Sequence, residues 1–373
     1  MHQTMKKINL FRRFLAAAVL LAGSLGFTGC DSDDEEVDPV TETEVRGPYD
    51  QQGVFILNEG NFETPNGSVS FLSDSAGHAV VNNITQKAND NRLLGDVVMD
   101  LDLLGERAYI VANNSNKLEV VNAFSFKTEG IVDLKQPRHF TVASSDKGYV
   151  TEWVEYGQPG QVSVIDLNSL KVVKTIPVGP QPEELLVVDG KLYVAISGAD
   201  VVTVIDVTTD AVEQSIQLTD GPAELELDMK NKLWVLAKGK TVYNDDWSVN
   251  YGETTPGALV SVNTANNTVV STLTLGSNQA TPDNLAISGD GGKLYYNYQG
   301  GTFEQSTSAT SLSTTPLINR SFYGLGVDPD NGYIYGGDEN GFAGDGTVYI
   351  YQPDGTKVNE VKVGIGPNGF VFN

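Results

Sequence analysis

The stretch Pro182-Glu183-Glu184-Leu185-Leu186-Val187-Val188-Asp189-Gly190-Lys191-Leu192-Tyr193-Val194-Ala195 decides the fold. A short apolar run, an Asp-Gly turn and a second run with Tyr inside it read as two antiparallel strands in a tight hairpin. Val201-Val202-Thr203-Val204-Ile205-Asp206 follows as a third strand, and Ala211 to Leu218 closes the unit as a fourth. Such runs, with turns about every ten residues, give a four-stranded antiparallel sheet.

Working outward, the unit recurs. Val162-Ser163-Val164-Ile165-Asp166 and Val172 to Val178 precede it, and Lys232-Leu233-Trp234-Val235, Lys293-Leu294-Tyr295-Tyr296 and Tyr333-Ile334-Tyr335 follow. Repeats of roughly 40–55 residues with four strands each fit propeller blades. Seven inner strands are expected, beginning near Val97, Phe140, Leu185, Leu225, Leu285, Tyr323 and Phe370. Nothing follows Phe370 to build a blade, while Val54 to Leu57 opens the fold without an inner strand before it. The expectation is an all-β, seven-bladed β-propeller whose C-terminal strand completes the first blade and removes an open sheet edge. The sixth blade is the weakest, because Phe303 to Thr315 is rich in Ser and Thr and lacks a clear strand pair.

The turn, K-L-Y-V and V-x-V-I-D lines resemble the YVTN/YncE-like propellers. The opening Gly53-Val54-Phe55-Ile56-Leu57-Asn58-Glu59-Gly60-Asn61-Phe62 resembles a family of Bacteroidetes surface lipoproteins of that class.

The chain of 373 residues carries a net charge of −24, one Cys and three His. A single Cys excludes an intramolecular disulfide framework, thiolate zinc sites and CxxC redox pairs. The acidic balance argues against nucleic acid, whose phosphates call for Lys and Arg clusters. Lys6, Lys7, Arg12 and Arg13 precede the apolar stretch Phe14 to Phe27, which ends at Phe27-Thr28-Gly29-Cys30. This resembles a bacterial lipobox, so residues 1–29 are expected to be a signal peptide and Cys30 the lipidated new N-terminus. Residues 30–48, beginning Asp31-Ser32-Asp33-Asp34-Glu35-Glu36 after the cysteine, read as an acidic flexible tether. The acidic run resembles the surface-export signal of Bacteroidetes lipoproteins; its bland alternative is a solvated spacer. Residues 49–373 form the propeller domain. The expected location is the outer membrane, facing the exterior, with the membrane met through the lipid anchor alone.

In a propeller, the loops between second and third strands share a face with the starts of the inner strands. Here those loops carry Asn58, Glu59, Phe62, Asn114, Trp153, Tyr156, Trp247, Tyr251, Tyr298 and Phe342. The strand starts add Arg138, His139 and Tyr323, with Glu183, Glu224 and Asp283 expected to cap N–H groups around the channel. Tyr and Trp beside Asn, Gln and carboxylates suit a large ligand with apolar faces and an amide or hydroxyl rim. The opposite face carries short polar turns of ordinary hairpin chemistry. No metal site is expected: His139 is the one histidine near the channel mouth, and Asp328-Pro329-Asp330-Asn331-Gly332 reads as a turn rather than a calcium loop. No nucleophile–base constellation marks an enzyme.

The chain is similar to the surface cobalamin-binding propeller lipoproteins of gut Bacteroidetes. That resemblance implies capture of a scarce nutrient, a corrinoid, handed to a TonB-dependent outer-membrane transporter, with no cofactor otherwise. Two alternatives stay open. Related surface propellers take ferric siderophores, which the acidic balance disfavours when the siderophore is a catecholate anion. A glycan- or protein-binding adhesion module is the other.

Overall fold

Apolar runs dominate the two middle strands of each repeat because both faces of these strands are covered by neighbouring sheets. The computed structural model describes residues 46–74 and 79–373. The signal peptide, Cys30, the tether up to residue 45 and His78 lie outside the described residues.

Seven antiparallel sheets follow one another along the chain. Their inner strands are Pro367–Phe372, Val98–Leu104, Pro137–Val142, Pro182–Val188, Pro222–Leu227, Asp283–Ile287 and Gly324–Val327. Each lies beside the next, and Pro367–Phe372 lies beside Val98–Leu104, so the ring closes. The fold is the expected seven-bladed propeller. The closing strand pairs with Gly53–Asn58, with Phe55 opposite Val371 and Leu57 opposite Gly369. Asn373 adds a backbone bond to Gly53 O and a side-chain bond to Gln51 O.

The core is divided rather than central. Seven buried apolar clusters each draw on two adjacent sheets; Leu186, Tyr193 and Val204 of the fourth blade meet Leu225, Val235 and Val260 of the fifth. The repeated aromatic of the second strand has a second task. Tyr193 donates its hydroxyl to Asn267 Oδ1 at 2.7 Å, and Tyr149 donates to Asp210 Oδ1 at 2.5 Å, each in the following blade. The K-L-Y-V line is thus a stitch between neighbouring sheets as well as a strand signature.

The sixth blade has three strands, Asp283–Ile287, Lys293–Tyr298 and Gly301–Ser306. Beyond Ser306 the chain bridges back to the sheet at Thr302 and Ile318. The Gln305 side chain binds Ser311 O and Ser313 N, which gives the polar segment a local alternative to a ladder. The first blade departs differently. Its outer strand is Val80–Val81, and a short helix, α1 (Ile84–Ala88), which the sequence reading does not anticipate, buries Ile84 and Thr85 beyond it.

Candidate functional site

The starts of the inner strands follow one local pattern. Pro137, Pro182, Pro222 and Pro367 each occupy the first strand position, and Val98 stands in the same place in the second blade. The residue before each of them, Gln136, Gln181, Gly221, Gly366 and Val97, adopts a left-handed backbone with φ between 46° and 71°. Glycine suits this conformation at two of the five, while Gln and Val hold it against steric cost. The turn and a ladder irregularity just after it aim the third residue of each strand in the same way.

That third residue is Asp100, His139, Glu184 and Glu224 in blades two to five. Three of them clasp the next blade. Asp100 Oδ2 accepts Phe140 N at 2.8 Å, Glu184 Oε2 accepts Leu225 N at 2.6 Å, and Glu224 accepts Asn284 N at 3.2 Å and also Leu285 N. The expectation that strand-start acids cap channel N–H groups holds for Glu224. It shifts by one residue for the fourth blade, where Glu184 caps and Glu183 does not. Asp283 takes a salt bridge with Lys238 as well as the Asn284 N–H that follows it.

His139 stands between carboxylates, with Nδ1 3.7 Å from Asp100 Oδ2 and Nε2 3.8 Å from Glu183 Oε2. Burial alone lowers its pKa, but Asp100, Glu184 and Glu183 outweigh that and raise it. Burial pushes Glu184 up to about 7, with His139 pulling the other way and Glu224 adding to the rise. Arg138 donates to both oxygens of Glu183, at 3.0 and 3.3 Å, and lies 4.3 Å above the Trp153 ring. Lys238, 3.1 Å from Glu224 Oε1 and bonded to Asp283, stays charged although burial opposes it.

The surrounding loops hold the aromatics. Phe62 is 70% exposed, Tyr156 74% and Trp247 83%. Tyr243 and Tyr251 are half-exposed on the hairpin that carries Trp247. This hairpin is ordered by its own bonds: Asn244 N–H donates to Ser248 O, and Trp247 N–H to Asn244 O. Trp247 itself sits at φ 65°, an uncommon conformation for a large side chain. Tyr323 and Phe342 meet edge to face at 5.2 Å, and the Tyr323 hydroxyl donates to Glu59.

The expected site residues therefore separate into three groups. Phe62, Tyr156, Trp247 and Tyr251 stand open on the loops. Glu59, Asn114, Arg138, His139, Trp153, Tyr323 and Phe342 are partly buried around the channel mouth. Asn58 and Tyr298 are buried. Asn58 directs its amide to Ser70 Oγ at 2.9 Å, and Tyr298 donates to Ser277 O at 3.1 Å, so both support loops from beneath. One face of Trp153 is already taken by Arg138. The Asp328 carboxylate accepts Asp330 N at 2.9 Å and the Asn331 amide at 2.7 Å, which closes the turn read from the sequence.

Residues outside the expected set matter too. Asp96, Asp100, Glu184 and Lys238 line or brace the mouth. The recurring Pro, aligned across blades, is the signal that places His139, Glu184 and Glu224 in register, while Val98 stands in its place ahead of Asp100. Lys238 has no such signal, since its partners come from two different strand starts.

Fold and face together define a propeller with one loop-rich, aromatic and acidic side. The chain belongs to the family described as a domain of unknown function, DUF5074, which matches residues 52–373. No curated protein matches it. Among solved structures it is similar to a quinoprotein alcohol dehydrogenase-like protein from Bacteroides thetaiotaomicron, at 14% identity and TM-score 0.65, over 86% of this chain and 78% of that one. It is also similar to hydrazine synthase from Kuenenia stuttgartiensis, at 18% identity and TM-score 0.60, over 73% of this chain and 88% of that one. A functionally unknown protein from Desulfotomaculum acetoxidans gives 12% identity and TM-score 0.62, over 86% and 99%. At such identities the likeness is one of fold.

Proposed function

We propose that the propeller is a non-enzymatic capture module whose loop-rich face holds a large, flat, partly apolar nutrient, a corrinoid, for delivery to a TonB-dependent outer-membrane transporter. The observation that carries this reading is the set of open aromatics on ordered loops. Trp247 is 83% exposed on a hydrogen-bonded hairpin, and Phe62, Tyr156 and Tyr251 stand open on loops of the same face. Aromatic surface kept in water by rigid loops supports stacking against a ligand. A corrin has apolar faces for such rings and an amide rim for Glu59, Asn114 and the acids of the mouth. Lipidation at Cys30 and display on the outer surface belong to the same proposal.

The full chain is mixed with cobalamin, cobinamide or a ferric siderophore and passed through size exclusion, with ligand absorbance followed under the protein peak. Co-elution of a corrinoid at one to one supports the reading. Siderophore co-elution keeps capture and replaces the ligand. Co-elution of none moves the function to a glycan or protein partner.

A further inference from the structure

We propose that the ring is latched at the seam between the third and fourth blades by charge pairs on Arg138 and His139. This seam loosens ahead of the others as pH rises, and it frees the Trp153 loop above it. The latch belongs to the ring, needs no ligand, and stands or falls apart from the capture reading.

At the starts of the inner strands the seven seams are fastened differently. Asn368 of the first blade donates its amide to Val98 O in the second, at 2.9 Å. Asp100 accepts Phe140 N at 2.8 Å, Glu184 accepts Leu225 N at 2.6 Å, and Glu224 accepts Leu285 N. Asn284 of the sixth blade donates to the carbonyls of Phe322 and Tyr323 in the seventh, at 3.3 and 3.2 Å. At the closing seam Gly324 touches the backbone of the first blade, where a Cβ would lie 2.6 Å from Asn368 Cα. In the third blade the corresponding residue is His139. Among the described residues it makes no bond to the backbone of the fourth blade, and its ring faces carboxylates instead.

Charge pairs take the place of that bond. Glu183 of the fourth blade meets Arg138 at 3.0 and 3.3 Å and lies 3.8 Å from His139 Nε2. His139 Nδ1 lies 3.7 Å from Asp100 of the second blade. The protonated imidazole turns an N–H toward each carboxylate. The neutral ring keeps a single N–H, presents a lone pair to the other carboxylate and offsets the charge of neither. The second and third blades still share the Asp100 to Phe140 bond, whereas the third and fourth are left with Arg138.

The surroundings fix the direction. Burial opposes the charge on His139, but Asp100, Glu184 and Glu183 outweigh it and raise the pKa. The latch is therefore full at low pH and is lost as pH rises through that raised value. The other charged groups on the adjoining strands are engaged elsewhere. Asp102 accepts Val142 N at 3.2 Å, and Glu152 accepts Lys135 N at 2.5 Å. Lys147 pairs with Asp210, and Arg107 with Glu129. Glu184 also titrates, at about 7, but its carboxyl can accept the Leu225 N–H in either form and sits on the next seam. Arg138 carries the change to the loop, since its guanidinium lies 4.3 Å from the Trp153 ring while bound to Glu183. The Trp153 backbone N–H donates to Gln136 O at 3.2 Å, just ahead of the same inner strand, and the loop presents the open Tyr156.

Hydrogen–deuterium exchange of the full chain tests the latch, read by peptide at pH 5.5 and 8.5 and corrected for the intrinsic rate at each pH. Protection of residues 137–153 is expected to fall at least tenfold between the two pH values. That of residues 283–287 and 324–327 is expected to change less than threefold. His139→Gln is expected to show the low protection of residues 137–153 at both pH values. A fall of equal size in all seven inner strands, a fall that persists in His139→Gln, or no fall at all overturns the proposal. A fall confined to residues 222–227 assigns the titration to Glu184 and overturns it too. Should His139→Gln not fold, Glu183→Gln decides: the fall is expected to shrink below threefold, and an unchanged fall overturns the latch.

Discussion

The Glu184 carboxylate of the fourth blade accepts the backbone N–H of Leu225 in the fifth, at 2.6 Å, beside a channel that also holds His139 and Glu224. The same clasp joins Asp100 to Phe140 and Glu224 to Leu285. The strand starts that frame the candidate site therefore also fasten blade to blade. Charge at the mouth and stability of the ring are coupled, and that coupling can be measured.

Glu184 is pushed up to about 7 in the folded chain from an ordinary value near 4.5. The folded state then binds more protons than the unfolded state between those values, so this group's contribution falls as pH rises through that window. A shift of this size corresponds to about 3 kcal/mol. Glu184→Gln keeps an acceptor for Leu225 and removes the charge. The variant is expected to gain stability over the unmodified protein at pH 8 and to be nearly equal to it at pH 4, as read by denaturant melts at both pH values.

His139 shifts stability with pH in the same direction. Its raised pKa means that its stabilising contribution is full below about 6.5 and is lost as pH rises through the folded value. His139→Gln is expected to destabilise the protein at pH 5.5 and to have a smaller effect at pH 9. An NMR titration of the histidine should give a midpoint above the ordinary one; a midpoint below it removes the role assigned to Asp100 and Glu184.

Trp247 and Trp153 should separate in their effects. Trp247 is open and packs little, so Trp247→Ala should leave the melting temperature within a degree or two and weaken corrinoid binding by roughly tenfold or more. Trp153 carries Arg138 on one face, so Trp153→Ala should also lower stability by about 1 kcal/mol. Unchanged binding in both variants moves the ligand away from these loops.

The closing strand should be indispensable. Removing residues 367–373 deletes the partners of Val54 to Asn58 and exposes Val54 and Ile56, which are fully buried. Loss of a cooperative melt is expected, because the truncated ring has an open sheet edge and an uncovered apolar face. Addition of the peptide spanning residues 367–373 in trans should restore part of the transition.

Gly148 tests the packing between the second and third blades. A Cβ placed there meets Phe140 Cε2 at 2.5 Å, and Phe140 stacks on Tyr109 at 4.9 Å. Gly148→Ala is expected to cost about 1–3 kcal/mol in a chemical denaturation series.

The repeat, the seven inner strands, the closing role of Phe370 onward and the weakness of the sixth blade were legible in the chain. Each rests on local patterning: alternation, turn residues and the spacing of Tyr and Trp. The loop face was legible as well, because strand order alone sorts loops to one side or the other. Individual roles were not. Glu183 and Glu184 are adjacent, and a strand sends neighbouring side chains in opposite directions. Which one meets Leu225 depends on the left-handed turn at Gln181 and the irregular pairing that follows. Asn58 belongs to the same opening motif as Glu59, yet it is fully buried under the loop.

The sequence by itself determined that this protein is a propeller of four-stranded repeats closed by its own C-terminus, because those features follow from period, turn chemistry and repeat count. Only the tertiary structure decided which acids clasp neighbouring blades, which cations are already paired, and that Asp96 and Asn368 hold buried acceptors without donors among the described residues. Those properties arise between blades, from residues some 40 to 270 positions apart in the chain, and no local pattern encodes a distance of that kind.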